Sequence, residues 1–258
     1  MSHYTVAVFT ERGGSSVEEL LAPFDENIRV PRYLDQTKAQ VIAEGRARVE
    51  KRKRQYEQFL NKKAEEQERD PNCHFFRNEF PEWVDCTDEK IHQHEIFWYD
   101  KDMIDPETGD VYSTYNPNSK WDWYSAGGRW GGSLITKNGD STNEALVCDL
   151  DFEKMRQAEL DDLEPYEDYL SKHVLYSREY LESIYPDEKT YIAKMTEFTT
   201  FAALTPDGKW HEKGSMGWFG MSSETPDEDT AWHKSYYDAF IKPALGNNWT
   251  ITLVDCHI

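Results

Sequence analysis

This chain has little with which to cross a membrane or staple itself covalently. No stretch approaches the roughly 18 consecutive apolar residues that a span needs, and the N-terminus lacks a basic segment followed by an apolar run and a cleavage site. The sequence therefore reads as a cytosolic protein with no membrane partner. Its four cysteines, Cys73, Cys86, Cys148 and Cys256, form no C-x-x-C pair, which suits reduced, buried thiols better than a disulfide framework. Positive charge is also short: 29 Lys and Arg stand against 49 Asp and Glu, a formal net charge of -20. A field of that sign repels long nucleic acids and anionic lipid surfaces. The phosphate-cradling GxxxxGK[ST] loop, the GxGxxG turn, the GxSxG elbow and the HExxH helix are all missing. The sequence thus assigns no catalytic residue, no metal and no cofactor.

What is present is enough apolar material for a core. The chain has 258 residues, 38% of them hydrophobic and 14% aromatic, which suits one large domain covering 1–258. "HYTVAVFT" (His3 to Thr10) alternates like a strand, and "SSVEELLAPF" reads as a short capped helix. From Thr37 to about Glu68 good helix formers dominate. There Val41, Ile42, Gly45, Val49, Arg52, Tyr56, Phe59, Leu60 and Lys63 trace a narrow stripe, so 37–70 reads as an edge-packed or projecting helical arm. A strand is read at Glu95 to Tyr99, and a strand ending at an Asn-Gly turn in "SLITKNGDS". Asp151 to Leu163 and Tyr166 to Tyr185 read as acidic helices, "PDGKW" as a hairpin turn, Glu228 to Leu245 as a helix and "NNWTITLVDCHI" as a closing strand. The order predicts an α+β fold in which the first and last strands lie side by side in one antiparallel sheet.

The densest candidate for a binding site is "SKWDWYSAGGRWGGS" (Ser119 to Ser133). Gly127, Gly128, Gly131 and Gly132 flank Arg129 and Trp130, allowing positive φ and close approach of a ligand to the backbone. The Arg129 guanidinium suits a phosphate or carboxylate, while Trp121, Trp123 and Tyr124 offer faces for a planar base. A second cluster, "GKWHEKGSMGWFG", adds Trp210, His211, Lys213 and Trp218. The plainer alternative remains open: Trp121 and Trp123 alternate into a core, and Arg129 pairs with Asp122 or stacks on Trp130. His92 and His94, alternating on the expected strand near Cys73 and Cys86, depart from common zinc spacings. In "DCHI", Cys256 and His257 point to opposite faces of a strand and cannot act as nucleophile and base together.

The opening "MSHYTVAVFT", the middle "YNPNSKWDWYSAGGRWGG", the hairpin "TPDGKWHEKGSMGWFG" and the closing "VDCHI" together resemble a family of proteins carried by bacteriophages and by the bacterial genomes that harbour them. The resemblance brings no activity or catalytic residue. It implies a context, an accessory protein in the host bacterial cytosol, where counter-defence is a common occupation. In that setting the aromatic and basic clusters suggest capture of a small nucleotide immune signal, such as a cyclic nucleotide or an ADP-ribose derivative, by a monomer or a homo-oligomer. An alternative is an acidic inhibitor that mimics a polyanion against a host defence protein. A third is an enzyme that cleaves the nucleotide, with His211 as candidate acid or base.

Overall fold

The computed structural model describes residues 2–172, 176–217 and 221–258. The chain forms two compact units, one built from 1–28 and 116–258, the other from 29–115.

The first unit opens with β1 (His3–Thr10) and α1 (Val17–Leu21). Ser16 caps α1: its hydroxyl accepts from the Glu19 amide while the Glu19 carboxylate takes the Ser16 amide, satisfying two donors that a helix start leaves free. The chain then builds the second unit from β2 (Arg29–Gln36), α2 (Lys38–Leu60), α3 (Ala64–Glu68), α4 (Cys73–Asn78), α5 (Asp88–Glu95) and β3 (Val111–Tyr115), β2 and β3 pairing antiparallel. The expected long helix is real but stops at Leu60. Past the cap at Asn61 the chain bends, and Gln67 Nε2 donates to the carbonyls of Phe59 and Lys62, satisfying acceptors that the helix end leaves open. Phe59 then packs with Phe76 and Phe80 in a small core of this unit's own. The strand expected at Glu95 to Tyr99 is instead the end of α5 and a 3₁₀ turn, since the Thr87 hydroxyl caps a helix from Asp88. On a helix His92 and His94 lie about 200° apart. His92 is buried with Nε2 on the Gly109 carbonyl, while His94 is exposed. Among the described residues no group of three or more His, Cys, Asp or Glu converges to hold a metal ion.

Back in the first unit come β4 (Trp123–Ala126), β5 (Leu134–Ile135), β6 (Ser141–Thr142) and β7 (Glu144–Leu146), then α6 (Phe152–Asp162), α7 (Tyr166–Lys172), α8 (Arg178–Ile184) and α9 (Glu188–Thr196). The helix expected over Tyr166 to Tyr185 is two elements, and Ser177 caps the second. β8 (Ala202–Leu204), β9 (Trp210–Glu212), α10 (Pro226–Tyr236), a π turn at Tyr237–Ile241, α11 (Lys242–Asn247) and β10 (Thr250–His257) complete the chain. No helix of the described residues is long and apolar enough to cross a membrane.

The fold is α+β, and its first and last strands are neighbours as expected. β1 and β10 pair antiparallel along their full length, from His3 opposite His257 to Thr10 opposite Thr250. The sheet is mixed, because β8 joins β1 in parallel; the order is β4-β10-β1-β8-β9, with β7 sharing the β4 edge of β10. Both faces are covered. Ala7, Phe9, Ile251 and Leu253 face a cluster with Tyr236, Phe240, Ile241 and Ala244 of the C-terminal helical segment, while Tyr4, Val6, Val8, Val254 and Cys256 face Leu20, Leu21 and Trp121. Strand alternation makes that division.

Candidate functional site

The same alternation builds the site. The row Phe9, Ala7 continues on β1 to Thr5 and His3, and the row Ile251, Leu253 continues on β10 to Asp255 and His257. One face of the sheet is therefore apolar at one end and polar at the other. Register lines up the polar end: His3 lies opposite His257, Trp123 of β4 lies on the other side of His257, and Thr5 and Ser125 flank Asp255.

Each histidine has its own carboxylate. His3 Nδ1 is 2.8 Å from Asp255 Oδ1, and His257 Nδ1 is 2.6 Å from Asp122 Oδ1. An ionised carboxylate only accepts, so both Nδ1 atoms carry hydrogen and both Nε2 atoms are left for other chemistry. The second oxygen of Asp255 accepts from the Arg129 amide at 3.1 Å. Gly128, at φ +50°, permits that approach, because a Cβ there would stand 2.4 Å from Asp255 Oδ2. The rings touch: the His3 and His257 centroids are 5.0 Å apart near perpendicular, and the Trp123 indole stacks on His257 at 5.0 Å and 16°. Asp255 is 2% exposed and His257 4%, whereas Trp123 is 44% exposed. Among the described residues, His257 Nε2 is buried with no hydrogen-bond partner.

A cavity of about 320 Å³ adjoins on the same face, with Thr5 and Leu253 in its wall beside Trp130. Charged side chains reach it from three directions. Asp229 of α10 accepts from Lys194 of α9 at 2.9 Å and from Lys213 at 3.0 Å, and Lys213 lies 3.2 Å from Glu224. Burial lifts the Asp229 carboxyl, but Lys194 and Lys213 outweigh it and hold the group below the usual carboxylate range. Burial pulls Lys213 down, and Asp229 and Glu224 reverse this so that it ends above the ordinary lysine value. His233 goes the other way: burial depresses it more than Asp229 raises it, with Lys213 and Lys194 adding to the depression.

Of the residues singled out from sequence, Trp123 lies at the polar end of this face, the Arg129 amide is fixed there on Asp255, and Trp130 and Lys213 line the cavity. Arg129 is exposed, and among the described residues no carboxylate pairs with its guanidinium; Asp122, the expected internal partner, is taken by His257. Trp121, Tyr124 and Trp210 belong to the opposite side. Trp121 is buried, donates Nε1 to the Leu21 carbonyl and packs against Tyr124, while Trp210 packs on Phe24 and donates to Glu212. The chain bends at Asp122 before β4 begins, so Trp121 and Trp123 do not share a face. The His211 ring packs on Phe240 of the helical cover. Trp218 lies outside the described residues. His3 is not among the residues that the sequence marks, Asp122 enters there only as a possible partner of Arg129, and His257 with Asp255 only through the rejected pairing with Cys256. Their signal was present, since an antiparallel pair made of the first and last strands places the start of one beside the end of the other. Cys256, one residue away, points into the opposite core, and burial pushes its thiol far up.

Comparison with protein-family models, with curated proteins and with solved structures finds no match to this chain.

Proposed function

We propose that this chain binds a small nucleotide on the polar end of the sheet face and so serves, in the host cytosol of an infecting phage, to remove a nucleotide immune signal such as a cyclic nucleotide or an ADP-ribose derivative. The observation that carries the reading is an exposed Trp123 indole held rigid by stacking on His257, with an unpaired Arg129 following the same strand. A fixed aromatic face takes a base in a contact worth about 1–3 kcal/mol, and a free guanidinium takes a phosphate through paired hydrogen bonds. The cavity alongside adds room for a second group of the ligand. The net charge of -20 does not prevent this, because screening at physiological salt acts over about 8 Å. The phage context rests on the resemblance of the terminal, middle and hairpin motifs.

The polyanion-mimic reading is weaker on this surface. Glu164 and Asp168 share Lys172, and Glu167 and Glu182 share Arg178, so two cations offset half of the charge of these four carboxylates at and beside α7 and α8. The test is a thermal shift with cyclic AMP, cyclic di-AMP, cyclic GMP–AMP and ADP-ribose. A ligand at about 100 times its Kd adds about 2.7 kcal/mol and raises the melting temperature by about 5–10 °C. Arg129→Ala and Trp123→Ala are expected to abolish most of that rise without lowering the melting temperature of the free protein by more than a degree or two. The reading fails if no nucleotide moves the transition.

A further inference from the structure

We infer that His3 and His257 are a general acid–base pair that breaks a P–O bond of the bound nucleotide, an inference that rests on the nucleotide reading of the same face. A binding face needs donors and flat surfaces; it does not need two imidazoles, each with a dedicated carboxylate on Nδ1, brought within 5.0 Å of one another. That arrangement fixes which nitrogen of each ring is available and how the ring is turned, which is what proton transfer requires. The fold also invests in it. Asp255 is buried among strands, its second oxygen is satisfied by the Arg129 amide, and the backbone at Gly128 takes a left-handed conformation against it. The two rings differ in surroundings: the His3 side chain keeps 13% exposure, whereas His257 Nε2 is sealed from solvent and unpartnered. A buried imidazole nitrogen with no partner is a defect in a resting structure and an asset where a substrate oxygen is to complete it.

In the step, an oxygen nucleophile, either water or a neighbouring ribose hydroxyl of the substrate, attacks phosphorus. Its proton passes to His3 Nε2 as the new P–O bond forms. His257 enters the step as the imidazolium, with one hydrogen on Nδ1 toward Asp122 and one on Nε2; the bond to the leaving oxygen breaks, and that oxygen takes the Nε2 proton. His3 gains one proton and His257 loses one, no electrons are transferred to or from the protein, and water that follows the departing product resets both rings, His257 Nε2 being sealed from solvent in the resting structure. Asp255 and Asp122 are positioning residues. Arg129, whose amide is anchored on Asp255 and whose side chain is exposed, is assigned the phosphoryl oxygens whose charge grows in the transition state.

The experiment incubates the full-length protein with cyclic di-AMP, cyclic GMP–AMP and ADP-ribose and follows each by ³¹P NMR and chromatography, in ordinary and ¹⁸O-enriched water. The expected result is catalytic conversion to a phosphomonoester carrying the label, or to an unlabelled ring phosphate if a ribose hydroxyl attacks. His3→Gln and His257→Gln are expected to slow turnover by about 10²–10⁴-fold while the ligand-induced thermal shift persists. Added imidazole restores part of the rate to His3→Ala, and Asp122→Asn and Asp255→Asn lower kcat with KM little changed. If His257→Gln does not fold, the more exposed His3 decides. Nucleotides that raise the melting temperature yet are recovered intact overturn the inference and leave capture standing, whereas turnover by His3→Gln at the wild-type rate overturns the roles assigned to the two histidines. Neither shift nor cleavage overturns both readings.

Discussion

At the scale of single residues, two glycines in one loop separate a backbone requirement from a packing requirement. Gly128 and Gly132 both have positive φ, +50° and +78°, where any L side chain costs about 1–2 kcal/mol. A Cβ on Gly132 meets only Ser141 Cβ, at 3.5 Å, whereas a Cβ on Gly128 would stand 2.3 Å from Asp255 Cβ. Gly132→Ala is therefore expected to lower stability by about 1 kcal/mol and leave ligand binding alone. Gly128→Ala must also displace Asp255, adding about 1–3 kcal/mol as overpacking does, and freeing His3 from its carboxylate. Urea denaturation measures the first effect and the ligand-induced thermal shift the second. The glycines of "GGRWGG" were legible in the sequence as turn residues. Which of them lies against a buried carboxylate was not, because Asp255 is 127 positions away along the chain and reaches Gly128 only through the pairing of β10 with β4.

At the scale of elements, the contact of α2 with α5 sets propensity against packing. Alanine is favoured over glycine inside a helix by about 1 kcal/mol, yet a Cβ on Gly45 would sit 2.3 Å from Cγ2 of the fully buried Ile91 and 3.1 Å from Cγ of Glu95. Overpacking wins: Gly45→Ala is expected to cost the 29–115 unit about 1–2 kcal/mol net, read from the midpoint of its urea transition. In α11 a Cβ on Gly246 meets nothing within 4 Å, so Gly246→Ala is expected to gain about 0.4–1 kcal/mol. The helix α10 carries a pH dependence. His233 faces Asp229, Lys213 and Lys194, and burial holds it below its ordinary value of 6.5. Below that value the unfolded chain takes up a proton that the folded one refuses, so stability falls as pH drops from about 7 toward the depressed folded value. Asp229 adds a later loss: its carboxyl is depressed, so its contribution is complete above the ordinary 3.8 and disappears as pH falls below it. Denaturation midpoints at about pH 7.5 and 5.5 test the first window, and His233→Asn is expected to flatten it.

At the scale of the whole molecule, the charge of -20 acts on stability through self-repulsion. Raising ionic strength from about 0.01 to 0.15 M shortens the screening length from about 30 to 8 Å, and the melting temperature is expected to rise over that range. A fall would mean that the ion pairs among Lys172, Arg178 and their carboxylates outweigh the repulsion.

By itself the sequence determined what local chemistry can determine. Alternation in "HYTVAVFT" and "TITLVDCH" made strands with two distinct faces, Ser16, Thr37 and Thr225 capped helices, and the apolar content promised a core. Even the pairing of the two terminal strands was legible. Only the tertiary structure decided which aromatic residues share a surface, because the bend at Asp122 sends Trp121 into one core and Trp123 to the other side of the sheet. It alone also made a cluster of His3, Asp122, Asp255 and His257. Residues from two strands and from the bend that leads into a third become neighbours through hydrogen-bond register, a long-range property that no window of sequence contains.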